Sequence, residues 1–191
     1  KGTIVRKEFK EGTESKAHVD SEVLASGVAE AVGVQAPVVV GLDRRTVIME
    51  HVSGQTWAER GGLSTLTQDR INSDEGRLLG LHDVLIGNLD RSPGNFMVND
   101  KGSLVAIDHG YGFQASPMAG FSSPFAGHFT NGTWGFADKI DVSPRDLSVI
   151  RGRLTALRGD FEARGRGRWH DEMMDRLGRL EKIATGTKDR L

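Results

Sequence analysis

Ile86-Gly-Asn-Leu-Asp90-Arg-Ser-Pro-Gly-Asn95-Phe-Met-Val98-Asn-Asp-Lys-Gly102-Ser-Leu104-Val-Ala-Ile107-Asp108-His-Gly110 is the stretch on which the reading of this chain turns. Phe96 to Val98 is a short apolar run, Asn99 to Gly102 a turn cluster, and Leu104 to Ile107 a second apolar run. That pattern predicts a β-hairpin. A hairpin closes its two ends, and paired strands lie about 4.8 Å apart, so Asn95 and Asp108 are expected as neighbours. An amide oxygen beside a carboxylate is a hard-oxygen pair suited to Mg²⁺. Asp90 sits five residues before Asn95 on the loop that feeds the hairpin, within reach of the same pocket. The spacing Asp-x4-Asn alone is common; the hairpin at once after the Asn, and the Asp-x-Gly after its second strand, give it specificity.

Working outward, the chain of 191 residues suffices for one good core or two small lobes. Hydrophobic residues make up 37% and charged residues 27%, with a net charge of −1, so no global field draws the chain to nucleic acid. The charge is uneven: Val142 to Leu191 carries twelve Lys/Arg against eight Asp/Glu. Solvated helix faces account for this more simply than an anionic partner does. No cysteine is present, which rules out disulfides and thiol chemistry. No apolar run approaches the ~20 residues of a membrane span, and no secretory signal is visible.

Upstream, Thr3 to Phe9 is predicted as a strand, and Ala17 to Val32 as a helix closed by Gly33. Pro37 to Leu42 and Thr46 to His51 follow as two strands, and Ser53 to Gly62 as a linker between lobes. Thr67 to Ile86 reads as one long helix. Downstream of the hairpin, Gln114 to Asp141 has little periodicity but five large aromatics (Phe121, Phe125, Phe129, Trp134, Phe136), as functional loops often do. Ser143-Pro144 opens a helix that Gly159 is expected to close, and a last helix runs near Trp169 to Ala184. The order describes an α+β chain, a small β-rich lobe (residues 1–57) packed on a mainly helical one (residues 58–191), with a cleft between.

A second constellation lies in the first lobe. Lys7 is in the first strand and Glu22 on the helix after it, at the edge of the apolar stripe. A strand lysine held by a helix glutamate would place a cation in the cleft, where phosphates could meet it. Arg6 and Lys7 face opposite sides of a strand, so one of them enters; Lys7 is preferred, with Arg6 the fallback, and Glu14 and Glu30 are weaker rivals for the glutamate. The strand Thr46 to His51 leads into the linker, where Met49, Glu50 and Val52 would border a bound base, although Met49 also suits a core position.

With these residues in view the chain resembles a protein-kinase-like phosphotransferase of the atypical branch, nearest to the phosphatidylinositol 3/4-kinase-like and HipA-type kinase families. Their loop Ile-Gly-Asn-x-Asp-Arg-His-x-x-Asn is matched by Ile86 to Asn95, and Ile-Asp-x-Gly by Ile107 to Gly110. The resemblance implies a two-lobed kinase-like fold, ATP and Mg²⁺ as cofactors, Asp90 orienting or deprotonating the acceptor hydroxyl, Asn95 and Asp108 on the metal, and Lys7 on ATP phosphates positioned by Glu22. The absence of cysteine is compatible with a reducing cytosol, and a cytoplasmic setting is expected, that of a secreted effector in a host cytosol included. The acceptor expected is a protein Ser/Thr, with phosphoinositide or aminoglycoside-type small molecules as alternatives.

Two departures stand out. Ser92 replaces the family's histidine, a role for which Arg91 or His109 could substitute, and no Gly-rich loop stands in the six residues before Lys7, so that either upstream residues are missing or the kinase is minimal. Both favour the alternative of a nucleotide-binding pseudokinase scaffold. His82 is expected to pack or hydrogen-bond rather than to react, and His128 is a lesser candidate for substrate contact. The aromatic loop and the basic C-terminal helices would be the interfacial surface of a lipid kinase.

Overall fold

The computed structural model describes residues 3–12, 14–113, 123–131 and 135–186; Phe121 and Trp134 of the aromatic-rich loop lie outside them. The first strand, β1 (Ile4–Glu8), is followed by α1 (Ser15–Val32), β2 (Val39–Gly41) and β3 (Thr46–Glu50). The three strands form one antiparallel sheet in the order β1-β3-β2, with Val5 opposite Met49 and Lys7 opposite Val47. Val39 and Val47 are buried with Val19 of α1, so this face of the sheet lies against the helix. Gly33 closes α1 in the left-handed conformation at φ 93°, its N–H donating to the Ala29 and Glu30 carbonyls.

The second sheet is β4 (Gly54–Thr56), β5 (Phe96–Asn99) and β6 (Leu104–Ala106), all antiparallel. The predicted hairpin is present, its strands shifted by one residue at the ends. β4 falls inside the segment expected as a linker. Gly-Gln-Thr has no apolar alternation, and it becomes a strand because β5 offers a free edge, a tertiary effect that local sequence does not carry. Gly54 is required there: at φ 146°, a Cβ would come within 2.2 Å of the Val98 carbonyl oxygen.

The helix expected over Thr67 to Ile86 is two. α2 (Gln68–Ile71) ends at Asn72, and Ser73 starts α3 (Asp74–Ile86) by accepting a hydrogen bond from the Gly76 N–H. Ser143 caps α4 (Pro144–Ala156) in the same way through Asp146. Gly159 does not end this helix; the break falls at Leu157, and Gly159 lies within α5 (Arg158–Ala163), where an added Cβ would meet open space. α6 (Gly167–Thr185) follows and presents Met173, Leu177 and Leu180 to the interior.

The main core gathers Leu24, Ala25, Val28 and Val32 of α1 with Leu81, Val84 and Leu85 of α3, Leu147, Ile150 and Leu154 of α4, Phe161 of α5 and the buried face of α6. Each of these side chains larger than alanine contributes about 1.5–3 kcal/mol on burial. A smaller cluster of Trp57, Leu79, Phe96, Leu104, Ala106 and Phe125 seats the second sheet on α3.

Candidate active site

Lys7 is the penultimate residue of β1, on the face turned toward α1. Its Nζ donates to Glu22 Oε1 at 2.6 Å and to Asp108 Oδ1 at 2.8 Å. Arg6 turns to the other face and pairs with Glu8 at 3.6 Å on the surface, so the fallback is not the residue that enters. Neither Glu14 nor Glu30 pairs with Lys7 among the described residues; Glu14 sits at the N-cap of α1. Burial works against the Lys7 ammonium, but Glu22 and Asp108 outweigh it and raise its pKa. Burial pushes the Glu22 carboxyl up, against the opposing pull of Lys7 and of the His109 N–H.

Asp108 lies two residues past the end of β6 and adopts φ 52°. The left-handed region is one that aspartate tolerates better than most residues. The backbone after it is fastened to α1 from two sides: the His109 N–H donates to Glu22 Oε2 at 2.9 Å, and Ser21 Oγ donates to the His109 carbonyl at 2.6 Å. Asn95 and Ile107 meet where the hairpin closes, the Ile107 N–H donating to the Asn95 carbonyl at 3.1 Å. Asn95 thus lies opposite Ile107, the residue before Asp108. Asn95 Nδ2 donates to the Asp90 carbonyl at 2.8 Å, and the Asp90 N–H donates to Asn88 Oδ1 at 3.0 Å. The Asp90 side chain is half-buried and its carboxylate takes no partner among the described residues.

Beneath this loop lies a buried polar network that sequence reasoning did not find. Arg91 is 1% exposed and Asp83 0%. The Arg91 guanidinium reaches both Asp83 oxygens, with its shortest contact at 2.8 Å. It also donates to the carbonyls of Asn95 and of Ile107, the latter at 2.9 Å. One guanidinium thus ties α3, the loop and both feet of the hairpin together. Arg91 Nη2 lies 3.2 Å from His109 Nδ1. Arginine only donates, so Nδ1 accepts and the His109 proton sits on Nε2. Burial, and then the Arg91 charge, hold the His109 pKa well below its ordinary value. Burial acts to raise the Asp83 pKa, yet Arg91 and His82 hold it far below the carboxylate range. The available signal was an aspartate within the apolar run of α3 and an arginine eight residues further on.

These burials correct one expectation. Neither Arg91 nor His109 can stand in for the histidine that Ser92 replaces, because both are enclosed and the guanidinium is fully engaged. Ser92 itself is exposed. His82 is a packing residue, its Nε2 3.1 Å from the Ala25 carbonyl. His128 is half-buried beside Phe129.

Met49 shares the Lys7 face of the sheet by register. Glu50 and Val52 instead line a cavity of about 570 Å³ with Ser26, Glu30 and Val38, which neither Lys7 nor Asp108 borders. Their side chains are thus not gathered with the Lys7 cluster, although the Val52 backbone N–H and carbonyl have no partner among the described residues. No group of three or more His, Cys, Asp or Glu side chains is placed to hold a metal ion among the described residues, and no described helix is long and apolar enough to cross a membrane.

Residues 78–128, which span the loop, the hairpin and Asp108, match the family model described as phosphatidylinositol 3- and 4-kinase. No curated protein matches the chain by sequence. Among solved structures, the crystal structure of the Helicobacter pylori proinflammatory kinase CtkA superposes with a TM-score of 0.58 at 12% identity, over 97% of this chain and 87% of that one. At that identity the likeness speaks for the fold. The chain is α+β with a kinase-like two-lobed fold, and its resemblance to kinase-like phosphotransferases is carried by residues 78–128 and by that fold together.

Proposed function

We propose that this chain is an ATP- and Mg²⁺-dependent kinase that moves the γ-phosphate of ATP to a hydroxyl, with a protein Ser/Thr as the favoured acceptor. The observation that carries the reading is the Lys7 ammonium held between Glu22 and Asp108 at 2.6 and 2.8 Å. A cation fixed at the mouth of a hairpin whose ends bear Asn95 and Asp108 is an arrangement suited to phosphates. Lys7 orients the phosphate chain, and Met49 borders the base with the free backbone groups of Val52. The donor set fits Mg²⁺: Asn95 Nδ2 is committed to the Asp90 carbonyl, which leaves Oδ1 as the free end, and Asp108 keeps one carboxylate oxygen off Lys7. When bound there, Mg²⁺ neutralises phosphate charge.

Asp90 is the group that orients the acceptor hydroxyl and takes its proton, since its carboxylate is uncommitted. Positioning and charge compensation do the rest, with no covalent intermediate on the protein. The exposed Ser92 and Gly94 leave the loop open to an acceptor carried on a polypeptide. The cytosol, a host's included, is where such an enzyme would meet ATP.

The test is labelled-phosphate transfer offered in parallel to protein, phosphoinositide and aminoglycoside acceptors. Asp108→Asn should abolish metal-dependent turnover, and Asp90→Asn should retain ATP binding while kcat falls by about 10²-fold or more. Full turnover in Asp108→Asn would refute the metal assignment. A second reading, a nucleotide-binding pseudokinase scaffold, is favoured by Ser92 and by the enclosure of Arg91 and His109. It predicts a thermal shift with ATP and Mg²⁺ but no transfer to any acceptor.

A further inference from the structure

Three consecutive side chains of α1 are each buried and each fastened to a different part of the molecule. Glu22 holds Lys7 and the His109 N–H, Ser21 holds the His109 carbonyl, and Asp20 holds three cations. Lys16 Nζ reaches Asp20 Oδ2 at 2.7 Å, Arg166 Nε the same oxygen at 3.0 Å, and Arg164 Nη1 the other oxygen at 3.2 Å. Arg164 and Arg166 belong to the turn between α5 and α6, more than 140 residues away in sequence. The Asp20 side chain is 3% exposed.

Helical geometry gives this arrangement a consequence. Residues two apart lie about 200° apart around the axis, so Asp20 and Glu22 grip α1 from nearly opposite sides. The apolar anchors of α1 in the main core, Leu24, Ala25, Val28 and Val32, all lie C-terminal to Glu22. On the N-terminal side Val19 alone is a buried aliphatic, in the small cluster under the first sheet. Rotation of this half of the helix is therefore opposed chiefly by polar contacts. A turn of about 50° moves a Cα by about 2 Å on a cylinder of radius ~2.3 Å, enough to break the Lys7–Glu22 contact.

We propose that Asp20, with Arg164 and Arg166, is a positioning device for the site: the α5–α6 turn sets the rotation of α1 and so the placement of Glu22 against Lys7. None of the three touches the reacting groups; they act through Glu22. The inference rests on the reading of Lys7 as the phosphate contact, but part of its test does not.

The first measurement is amide hydrogen exchange at His109, whose N–H is held by Glu22, in the full chain without nucleotide. Asp20→Asn should speed exchange there by about tenfold or more, while amides of α4 keep their protection. The second is a double-mutant cycle on kcat/KM for ATP. Asp20→Asn should lower it about tenfold in the native background and less than about twofold when Glu22 is already Gln, because the device then has nothing to position. Equal factors in both backgrounds, or unchanged exchange at His109, would overturn the proposal. Should Asp20→Asn fail to fold, Arg164→Ala is read by the same two measurements, with Arg164→Lys expected to restore both; loss without rescue would also overturn it. A chain with no ATP turnover at all would defeat the kinase reading and leave the exchange result to decide this one.

Discussion

At the scale of single residues, the buried Asp83–Arg91 pair is a costly polar feature to disturb. Each partner alone would be an uncompensated charge in the interior, and breaking such a pair costs about 3–5 kcal/mol. Asp83→Ala should destabilise the protein by that order in chemical denaturation and loosen the hairpin feet that Arg91 holds; a loss under about 1 kcal/mol would contradict the anchoring role. His109 adds a pH dependence. Its pKa in the folded chain lies well below the ordinary 6.5 because of burial and the Arg91 charge, so the unfolded chain takes up a proton that the folded chain refuses. Stability therefore falls as pH drops below about 6.5, by up to about 1.4 kcal/mol per pH unit for this one proton. Asp83, with its pKa depressed, adds its own loss only as pH falls through and below the unfolded value near 4. Denaturant midpoints measured from pH 7 to 5 should slope downward in the native chain and flatten in His109→Gln. Asp90, Asn95, Asp108, Lys7 and Glu22 could be named as candidates from the sequence because each lies at a fixed place on a recognisable strand, loop or helix. The Arg91 network could not, because its partners come from three elements and only the assembled fold shows that a charged loop residue is enclosed.

Elements were legible where the apolar period was strong or a cap was written in the sequence. The β5–β6 hairpin, α1 with its closing Gly33, and α4 behind Ser143-Pro144 all arise where the pattern places them. β4 was invisible because Gly-Gln-Thr becomes a strand only through pairing with β5. The division between α2 and α3 was signalled by Ser73 followed by two acidic residues, a helix start that the longer apolar pattern overrode. One close approach between elements is written in a single glycine. Gly80 lies in α3 where the chain at Phe125 crosses it, and a Cβ there would come within 2.1 Å of the Phe125 carbonyl oxygen, which is backbone and cannot swing aside. Gly80→Ala should cost about 1–3 kcal/mol by overpacking, although alanine is the better helix former by about 1 kcal/mol. Chemical denaturation reads the sign: a stabilised variant would mean that α3 and the loop from Ser123 to Asn131 can separate freely.

For the molecule as a whole, α1 decides whether the two lobes behave as separate bodies. It supplies one face of the first sheet through Val19 and also carries Leu24, Ala25, Val28, Ala31 and Val32 into the core of the helical part. The division at residues 57 and 58 that we propose for the lobes is thus a division of strands and linker, and the main core runs across it. Polar contacts cross it too, from Asp20 to Arg164 and Arg166 and from Lys7 to Asp108. A fragment of residues 58–191 would expose the faces of Leu81, Leu85, Leu147 and Leu154 that α1 helps to enclose. Removing five buried aliphatic partners at about 0.8 kcal/mol per methylene-sized unit amounts to a large part of a typical stability of about 5–15 kcal/mol. The fragment should therefore fail to give a cooperative melt by circular dichroism, and the whole chain should unfold in one transition with coincident tryptophan-fluorescence and far-ultraviolet midpoints. Two separated midpoints, or a fragment that melts cooperatively alone, would show that α1 is dispensable to the helical core and that the lobes are coupled only through the linker.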